Sequence, residues 1–442
     1  MMSMQQLYAM NGKRCSCQKE HRFCTQIVTG SGAIRQIPHI MKGYQVKKAF
    51  VISDIHTYNA AGSRVCNSLK EEGIPFKSYC FPQEALEPDE WSVGSAVMQV
   101  SPDCDIIVGI GSGVINDIGK ILSALTQKPY IIVGTAPSMD GYASATSSMT
   151  QNGLKVSLPS RAADVIVGDT DILCQAPMEL LKAGLGDMLA KFVSICEWRI
   201  SHIITGEYYC EQIAQLIRDA VALCVSQADS LMQRDPEAVT SLFEGLIISG
   251  VAMNYAGLSR PASGVEHYIS HVLDMRAAAF GTKANLHGIQ CAAGTLIAVR
   301  LYSKLKSITP NRQKALAYVK EFDYSAWCRQ LRDLLGRGAE SMIALEQEEK
   351  KYDPQSHHAR LERILENWNQ ICRIIDEELP EAQALEALLD RADMPKTLED
   401  LGVEKPLIPT IFCATKDIRY KYIVSHLAWD LGILPELCNT LY

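Results

Sequence analysis

Short β-branched apolar runs alternate with amphipathic helical stretches from about residue 26 to residue 172. This alternation restricts the fold more than any other property of the 442-residue chain. "KKAFVIS" reads as a buried strand ending at Asp54, and "AAGSRVCNSLKEEG" as a helix stopped by Gly73. "FKSYCF" is a second strand, "EWSVGSAVMQVSP" a helix, "DCDIIVGIG" a third strand, "VINDIGKILSALTQ" a helix and "PYIIVGTA" another strand. Strands separated by helices line up in parallel, with helices covering both faces of the sheet. "LKVSLPSRAADVIVGD" predicts further strands at the edge of that sheet. Past "DTDILCQAP" strand runs nearly vanish. From Met178 helical periodicity prevails, and stretches such as "EQEEKKYDPQSHHARLERILENWNQICRIIDEELPEAQ" read as solvated helical faces. The predicted organisation is an N-terminal extension over 1–25, an α/β domain over 26–174 and an all-helical domain over 175–442.

Charge narrows the partners. The 43 basic residues against 50 acidic ones give a net charge of −7, which argues against nucleic acid or an anionic membrane, both of which need a basic face. No run of about 18 uninterrupted apolar residues occurs, so no membrane span is expected. "MMSMQQLYAMNGKRCSCQKEH" lacks the apolar core of a signal peptide, and a cytoplasmic protein is the expectation. In that compartment most of the fifteen cysteines are small buried apolar residues. "CSCQKEHRFC" gathers Cys15, Cys17, His21 and Cys24, four soft ligands within ten residues. Its leading C-x-C is not a standard zinc spacing, so both a metal site and plain thiols stay open.

Two strand exits carry binding chemistry. In "IIVGIGSGVINDIGK" a buried strand runs through Gly109, Gly111 and Gly113 into a helix bearing Asn116 and Asp117. Glycines let a phosphate approach the backbone, and the helix N-terminus offers N–H groups and a positive dipole. The spacing is not G-x-G-x-x-G, and a tight strand-to-helix turn explains it as well. Asp54, at the end of the "FVIS" strand, is a carboxylate suited to adenosine ribose hydroxyls, which predicts NAD(H) over NADP(H). "VGTAPSMDGYASATSSM" exposes Thr135, Ser138, Asp140 and Ser144 at the carboxyl end of a parallel strand, where open α/β sheets bind ligands.

"RPASGVEHYISHVLD" puts His267 and His271 on one helix face, and "LHGIQ" adds His287. "KAGLGDMLAKFVSICEW" is expected to hold Asp187 at the start of an apolar helix, where an aspartate is often a cap. Two imidazoles and a carboxylate make an open metal site with room for substrate oxygens. Satisfied core or surface histidines remain the rival at this point.

The ordered set "GIGSGVINDIGK", "TAPSMDGYAS", "GLGDMLAK", "SGVEHYISH" and "HGIQ" resembles the sn-glycerol-1-phosphate dehydrogenases, above all their bacterial metal-dependent branch. That family stands in a wider group with glycerol dehydrogenases, iron-containing alcohol dehydrogenases and 3-dehydroquinate synthases. The resemblance runs from about residue 26 to "KDIRYKYIVSHLAWDLGIL", and "TAPSMDGYAS" is its most specific piece. It implies a dehydroquinate synthase-like fold: a Rossmann-like dinucleotide-binding domain followed by a helical metal- and substrate-binding domain. It implies NAD or NADP, one nickel or zinc ion per chain, and a homo-oligomer, with a dimer favoured. By the resemblance Asp187, His267 and His287 are the metal ligands, and Asp140, Asp187 and His271 touch substrate, with Asp187 and His271 catalytic. Asp54, Gly111, Gly113, Val114, Ile115, Asn116, Asp117, Thr135, Ala136, Pro137, Ser138 and Ser144 are the implied cofactor contacts. Ile289 of "HGIQ" departs from the acidic residue of many relatives.

The activity implied is reversible reduction of dihydroxyacetone phosphate, a phosphorylated triose, to sn-glycerol 1-phosphate, a precursor in phospholipid biosynthesis. Glycerol dehydrogenase is the nearest alternative. A dehydroquinate synthase-type lyase needs a strongly basic pocket and is at odds with "TAPSMDGYAS". A non-catalytic scaffold is at odds with the intact Asp187, His267 and His287 set. No sequence signal points to the residues that bind the substrate phosphate.

Overall fold

A short antiparallel hairpin, β1 (Lys13–Arg14) and β2 (Glu20–His21), follows an opening helix, Met2–Met10. The computed structural model describes residues 2–151 and 154–441. Then come β3 (Gln26–Gly30), β4 (Ala49–Asp54), β5 (Phe76–Phe81), β6 (Ile106–Gly111) and β7 (Tyr130–Gly134). β8 (Thr146–Gln151), β9 (Leu154–Pro159) and β10 (Val165–Asp169) complete the strands. Six of them form one parallel sheet in the order β3-β10-β7-β6-β4-β5. Every residue of β6, β7 and β10 is buried, which is why they read as continuous Val/Ile runs rather than alternating ones. The edge strands β3 and β5 are only partly buried.

The expectation for "LKVSLPSRAADVIVGD" needs correction. β10 sits inside the sheet, between β3 and β7, not at its edge. Its all-apolar "VIV" run has no face to spare for water. β9 leaves the sheet and pairs with β8 as an antiparallel ribbon, in register from Thr146↔Pro159 to Gln151↔Leu154. In "LKVSLP" polar and apolar residues alternate, as suits a ribbon with one wet face.

The chain divides into two compact units, Met1–Met188 with Gln215–Gly257, and Leu189–Ala214 with Leu258–Tyr442. In the first, the helix Pro236–Ala256 lays Phe243 over the carboxyl ends of β7 and β10. A Cβ on Gly134 would stand 2.8 Å from the Phe243 ring, and one on Gly168 would overlap it, so both strands carry glycine where they meet the ring. Phe243 is fully buried and meets Tyr142 edge-on, with centroids 5.0 Å apart. This helix is long and apolar enough to cross a membrane, but 72% of its window is buried as protein core.

The second unit is helical. Its helix Lys191–Thr205 packs along Pro354–Glu378, and Val265–Phe280 packs along His287–Lys306. The loop before Val265 is tied down at four carbonyls. Lys421 Nζ donates to Ser259 and Ser263 (3.0 and 2.8 Å), Lys191 Nζ to Ala262 (3.0 Å) and Ser194 Oγ to Pro261 (2.9 Å). These bonds set where the helix carrying His267 begins.

Candidate active site

In the first unit the strand order β7-β6-β4 brings Thr135–Ser138, Gly111–Gly113 and Asp54 to one end of the sheet, the carboxyl end. The three loop glycines have different causes. A Cβ on Gly109 would overlap the Tyr130 hydroxyl, and one on Gly111 would stand 2.6 Å from Ile115, so both serve internal packing. A Cβ on Gly113 would meet only Met139, at an ordinary 3.5 Å. Gly113 opens the helix Gly113–Thr126, whose N-cap Ser112 accepts from Gly113 N (2.6 Å) and meets Ser138 Oγ at 2.8 Å. Val114 and Ile115 follow in its first turn.

The same helix holds the second loop. Asn116 Nδ2 and the buried Lys120 Nζ donate to the Gly141 carbonyl, at 2.9 and 3.2 Å. Asp117 ion-pairs Lys120 at 2.9 Å; burial raises its carboxyl above the ordinary value, against the pull of Lys120. Tyr142 donates to the carbonyl of Ala136 (2.7 Å), and Ser144 Oγ meets Thr146 Oγ1 (3.0 Å). Pro137 fits against a helix backbone: a Cβ at Gly184 would overlap its carbonyl. Asp54 is engaged as a helix cap, accepting from Thr57 N at 2.8 Å.

Asp187 is buried and accepts from the backbone N–H of Asp140 at 2.9 Å, while Asp140 Oδ2 accepts from Ser249 Oγ at 2.8 Å. "TAPSMDGYAS" and "GLGDMLAK" are therefore one structure. Asp187 lies in the last turn of the helix Met178–Leu189, not at a helix start as expected. Gly184 sits inside this helix and lets it approach Pro137 closely.

In the second unit His267, His271 and His287 come together. The ring centroids of His267 and His287 are 4.9 Å apart, and those of His271 and His287 are 5.9 Å apart. His267 Nδ1 donates to Glu266 Oε1 at 2.8 Å. His287 Nδ1 meets Ser270 Oγ at 2.8 Å; that hydroxyl donates to Gln290 Oε1 (2.5 Å), and Gln290 Nε2 donates to Asp274 (3.2 Å). With its hydrogen so committed, the Ser270 oxygen accepts from His287. Both imidazoles thus carry their proton on Nδ1, and the Nε2 lone pair of His287 meets Cys291 Sγ at 3.6 Å. This donor set fits a divalent metal, whose histidine ligands have the second nitrogen tied in this way. Cys291 Sγ joins them: the ligand atoms of His267, His287 and Cys291 all lie within 4.8 Å of one another. Burial raises the Cys291 thiol, but His267 and His287 together bring it below its ordinary value. His271 is pushed well below its ordinary value by burial, Arg419, the other two histidines and Lys421, so it stays neutral at neutral pH.

The family model for iron-containing alcohol dehydrogenases matches residues 28–177. The glycerol-1-phosphate dehydrogenase (NAD(P)+) of Bacillus licheniformis is 28% identical over 428 residues, spanning 96% of this chain and 94% of the relative. That of Geobacillus thermodenitrificans is 31% identical over 320 residues, spanning 71% of this chain and 78% of the relative. The chain belongs to the glycerol-1-phosphate dehydrogenase family. It is accordingly an oxidoreductase that uses NAD(P), of a metal-dependent group. The glycerol dehydrogenase of Schizosaccharomyces pombe shares the fold, with a TM-score of 0.60 at 17% identity over 96% of this chain and 92% of that one.

The cofactor fits this glycerol-1-phosphate dehydrogenase family member at the open Gly113 turn. Among the described residues, the buried Asn116 Oδ1 has no hydrogen-bond partner there. Several residues beside the histidines escaped the reading of the sequence: Glu266, Ser270, Gln290, Cys291, Arg419 and Lys421. Glu266, Ser270 and Gln290 flank the quoted histidines in "SGVEHYISH" and "HGIQ", so their neighbourhood was a signal. Arg419 and Lys421 lie in "KDIRYKY", about 150 residues beyond His271, and nothing local marks them. Lys421 is engaged with carbonyls. Among the described residues the half-buried Arg419 guanidinium has no hydrogen-bond or ion-pair partner. It lines a cavity of about 380 Å³ shared with Arg260, Arg360 and Arg363.

Proposed function

We propose that this enzyme reversibly reduces dihydroxyacetone phosphate to sn-glycerol 1-phosphate, with NAD(H) preferred and one nickel or zinc ion per chain. The observation that carries the reading is the grouping of His267 and His287, each with its proton held on Nδ1, with Cys291, a neutral His271 and Arg419, which among the described residues has no hydrogen-bond or ion-pair partner. Asp187 is the third ligand on the sequence resemblance alone. Bound there, the metal supplies a Lewis acid for the C2 oxygen. His271, kept neutral, accepts the C2 hydroxyl proton in oxidation and returns it in reduction. Arg419 offers the positive charge that a phosphorylated triose requires and an unphosphorylated one does not. The segment Gly113–Asp117, with Thr135–Ser138, Ser144 and Asp54, binds the nicotinamide cofactor, the glycine turn taking the pyrophosphate on helical N–H groups. Substrate and cofactor pools of this kind make it a cytoplasmic enzyme.

The test separates the histidines. His267→Ala should lose the metal, because one ligand of three is gone. His271→Ala should keep the metal and lose turnover. Metal analysis showing the reverse pattern would reverse the assignment.

A further inference from the structure

The β1–β2 hairpin gathers a second set of soft ligands within the first unit. Its two strands pair with Lys13 opposite His21 and Arg14 opposite Glu20. The turn between them is closed by Cys15 N to the Lys19 carbonyl (2.8 Å) and Gln18 N to the Cys15 carbonyl (3.0 Å), with Gln18 in the left-handed region at φ 69°. That tight turn folds Cys15 and Cys17 back onto His21. The two sulfurs and a ring nitrogen of His21 lie within 4.8 Å of one another. Cys17 Sγ is 3.4 Å from His21 Nε2. Around a tetrahedral zinc, with bonds of about 2.3 Å to sulfur and about 2.0 Å to nitrogen, adjacent S and N ligands stand about 3.5 Å apart.

His21 is set up as a ligand. Its ring is 1% exposed and lies against Tyr255, with centroids 5.3 Å apart. Nδ1 lies 3.1 Å from the Tyr255 carbonyl. A carbonyl only accepts, so the proton is on Nδ1, and Nε2 presents its lone pair to the Cys17 sulfur. A backbone carbonyl fixing the tautomer is the outer support that metal-binding histidines ordinarily have. An S–H···N hydrogen bond would explain Cys17 and His21 as a pair, but it gives no reason for the buried Cys15 at the same point. Cys24, the fourth soft residue of the sequence pattern, is exposed and outside the group, because it lies past the end of the hairpin pairing.

We infer that Cys15, Cys17 and His21 form a metal site of their own, separate from the histidine cluster of the second unit, and that it takes zinc. Two thiolates and a neutral imidazole are the ligands zinc favours. Such a site cross-links the turn and acts on the stability of the N-terminal hairpin rather than on turnover.

The test loads the enzyme with zinc or cobalt(II) in a His267→Ala background, so that the proposed catalytic metal is compromised. Metal analysis should find about one equivalent per chain. Cobalt in that protein should show a thiolate-to-metal charge-transfer band, and X-ray absorption at the zinc edge should count at least two sulfurs and one imidazole. Adding Cys17→Ser, or separately Cys15→Ser, should remove the equivalent and the band. In the wild-type background Cys17→Ser should leave turnover in place and lower the melting temperature, and wild-type enzyme should show the same fall after zinc chelation. No metal in the His267→Ala protein, a band that survives both cysteine substitutions, or a shell with fewer than two sulfurs would each overturn the site. None of these results depends on which substrate the enzyme reduces.

Discussion

Glu266 Oε1 accepts the Nδ1 proton of His267 at 2.8 Å, and the same oxygen accepts from Gly264 N at 2.6 Å, so one carboxylate sets both the tautomer of His267 and the start of its helix. Removing it frees the ring to rotate and to take its other tautomer. Glu266→Ala should weaken metal binding by about 10–100-fold, as loss of an outer-shell partner does. Glu266→Gln keeps an acceptor oxygen and should recover part of that loss. Competition with a chelator of known affinity measures both, and equal affinities for wild type and the alanine variant would remove Glu266 from this role.

Glu197 lies close by, buried, accepting from Val265 N (2.9 Å), Val424 N (2.8 Å) and the Tyr302 hydroxyl (3.1 Å). Burial, reinforced by the Glu266 charge, pushes its carboxyl from 4.5 up to about 8. Its protonated form is therefore favoured by folding. The stabilisation is fully present below about pH 4.5 and is lost as pH rises through about 8. Glu197→Gln has no proton to lose. Its melting temperature should gain on wild type between about pH 5 and pH 8 and level off above that, and parallel melting curves across that range would contradict the shift.

Among the described residues the Arg419 guanidinium, which acts on His271, has no hydrogen-bond or ion-pair partner. Arg419→Ala should reduce efficiency with dihydroxyacetone phosphate by about 10–100-fold, the worth of one charge-assisted contact of about 1.5–3 kcal/mol. Activity with dihydroxyacetone, which has no phosphate to bind, should change little. Equal losses on both substrates would mean that Arg419 shapes the site without reading the phosphate.

How far the sequence foretold this structure depended on whether a feature was local. The strands β4, β6 and β7 stand where their apolar runs lie, because a strand buried on both faces needs an unbroken run. The "VIV" run marks β10 as buried on both faces, but its place between β3 and β7 in particular is a long-range choice of strand order. Asp187 was misjudged for a similar reason. Gly184 weakens a helix in isolation and is required here by the Pro137 carbonyl of a loop nearly fifty residues earlier. His267, His271 and His287 were found through their spacing and family pattern, whereas Arg419 comes near them only through folding of the helical unit. In the N-terminal "CSCQKEHRFC" the cluster was visible, but membership was not: the hairpin takes Cys15, Cys17 and His21 and leaves Cys24 outside.

The central claim is the phosphorylated triose, and it is tested by NADH oxidation with dihydroxyacetone phosphate and with dihydroxyacetone at matched concentrations on the metal-loaded enzyme. Donors built for a dianion are left unpaired without it, at about 1–3 kcal/mol each, and the lost anchor also loosens C2 over the nicotinamide. The account predicts a preference of at least about 100-fold in kcat/KM for the phosphate ester. It also predicts a product that an sn-3-specific glycerol-phosphate dehydrogenase fails to consume. Preference for dihydroxyacetone, or a product that the sn-3 enzyme consumes, would contradict it.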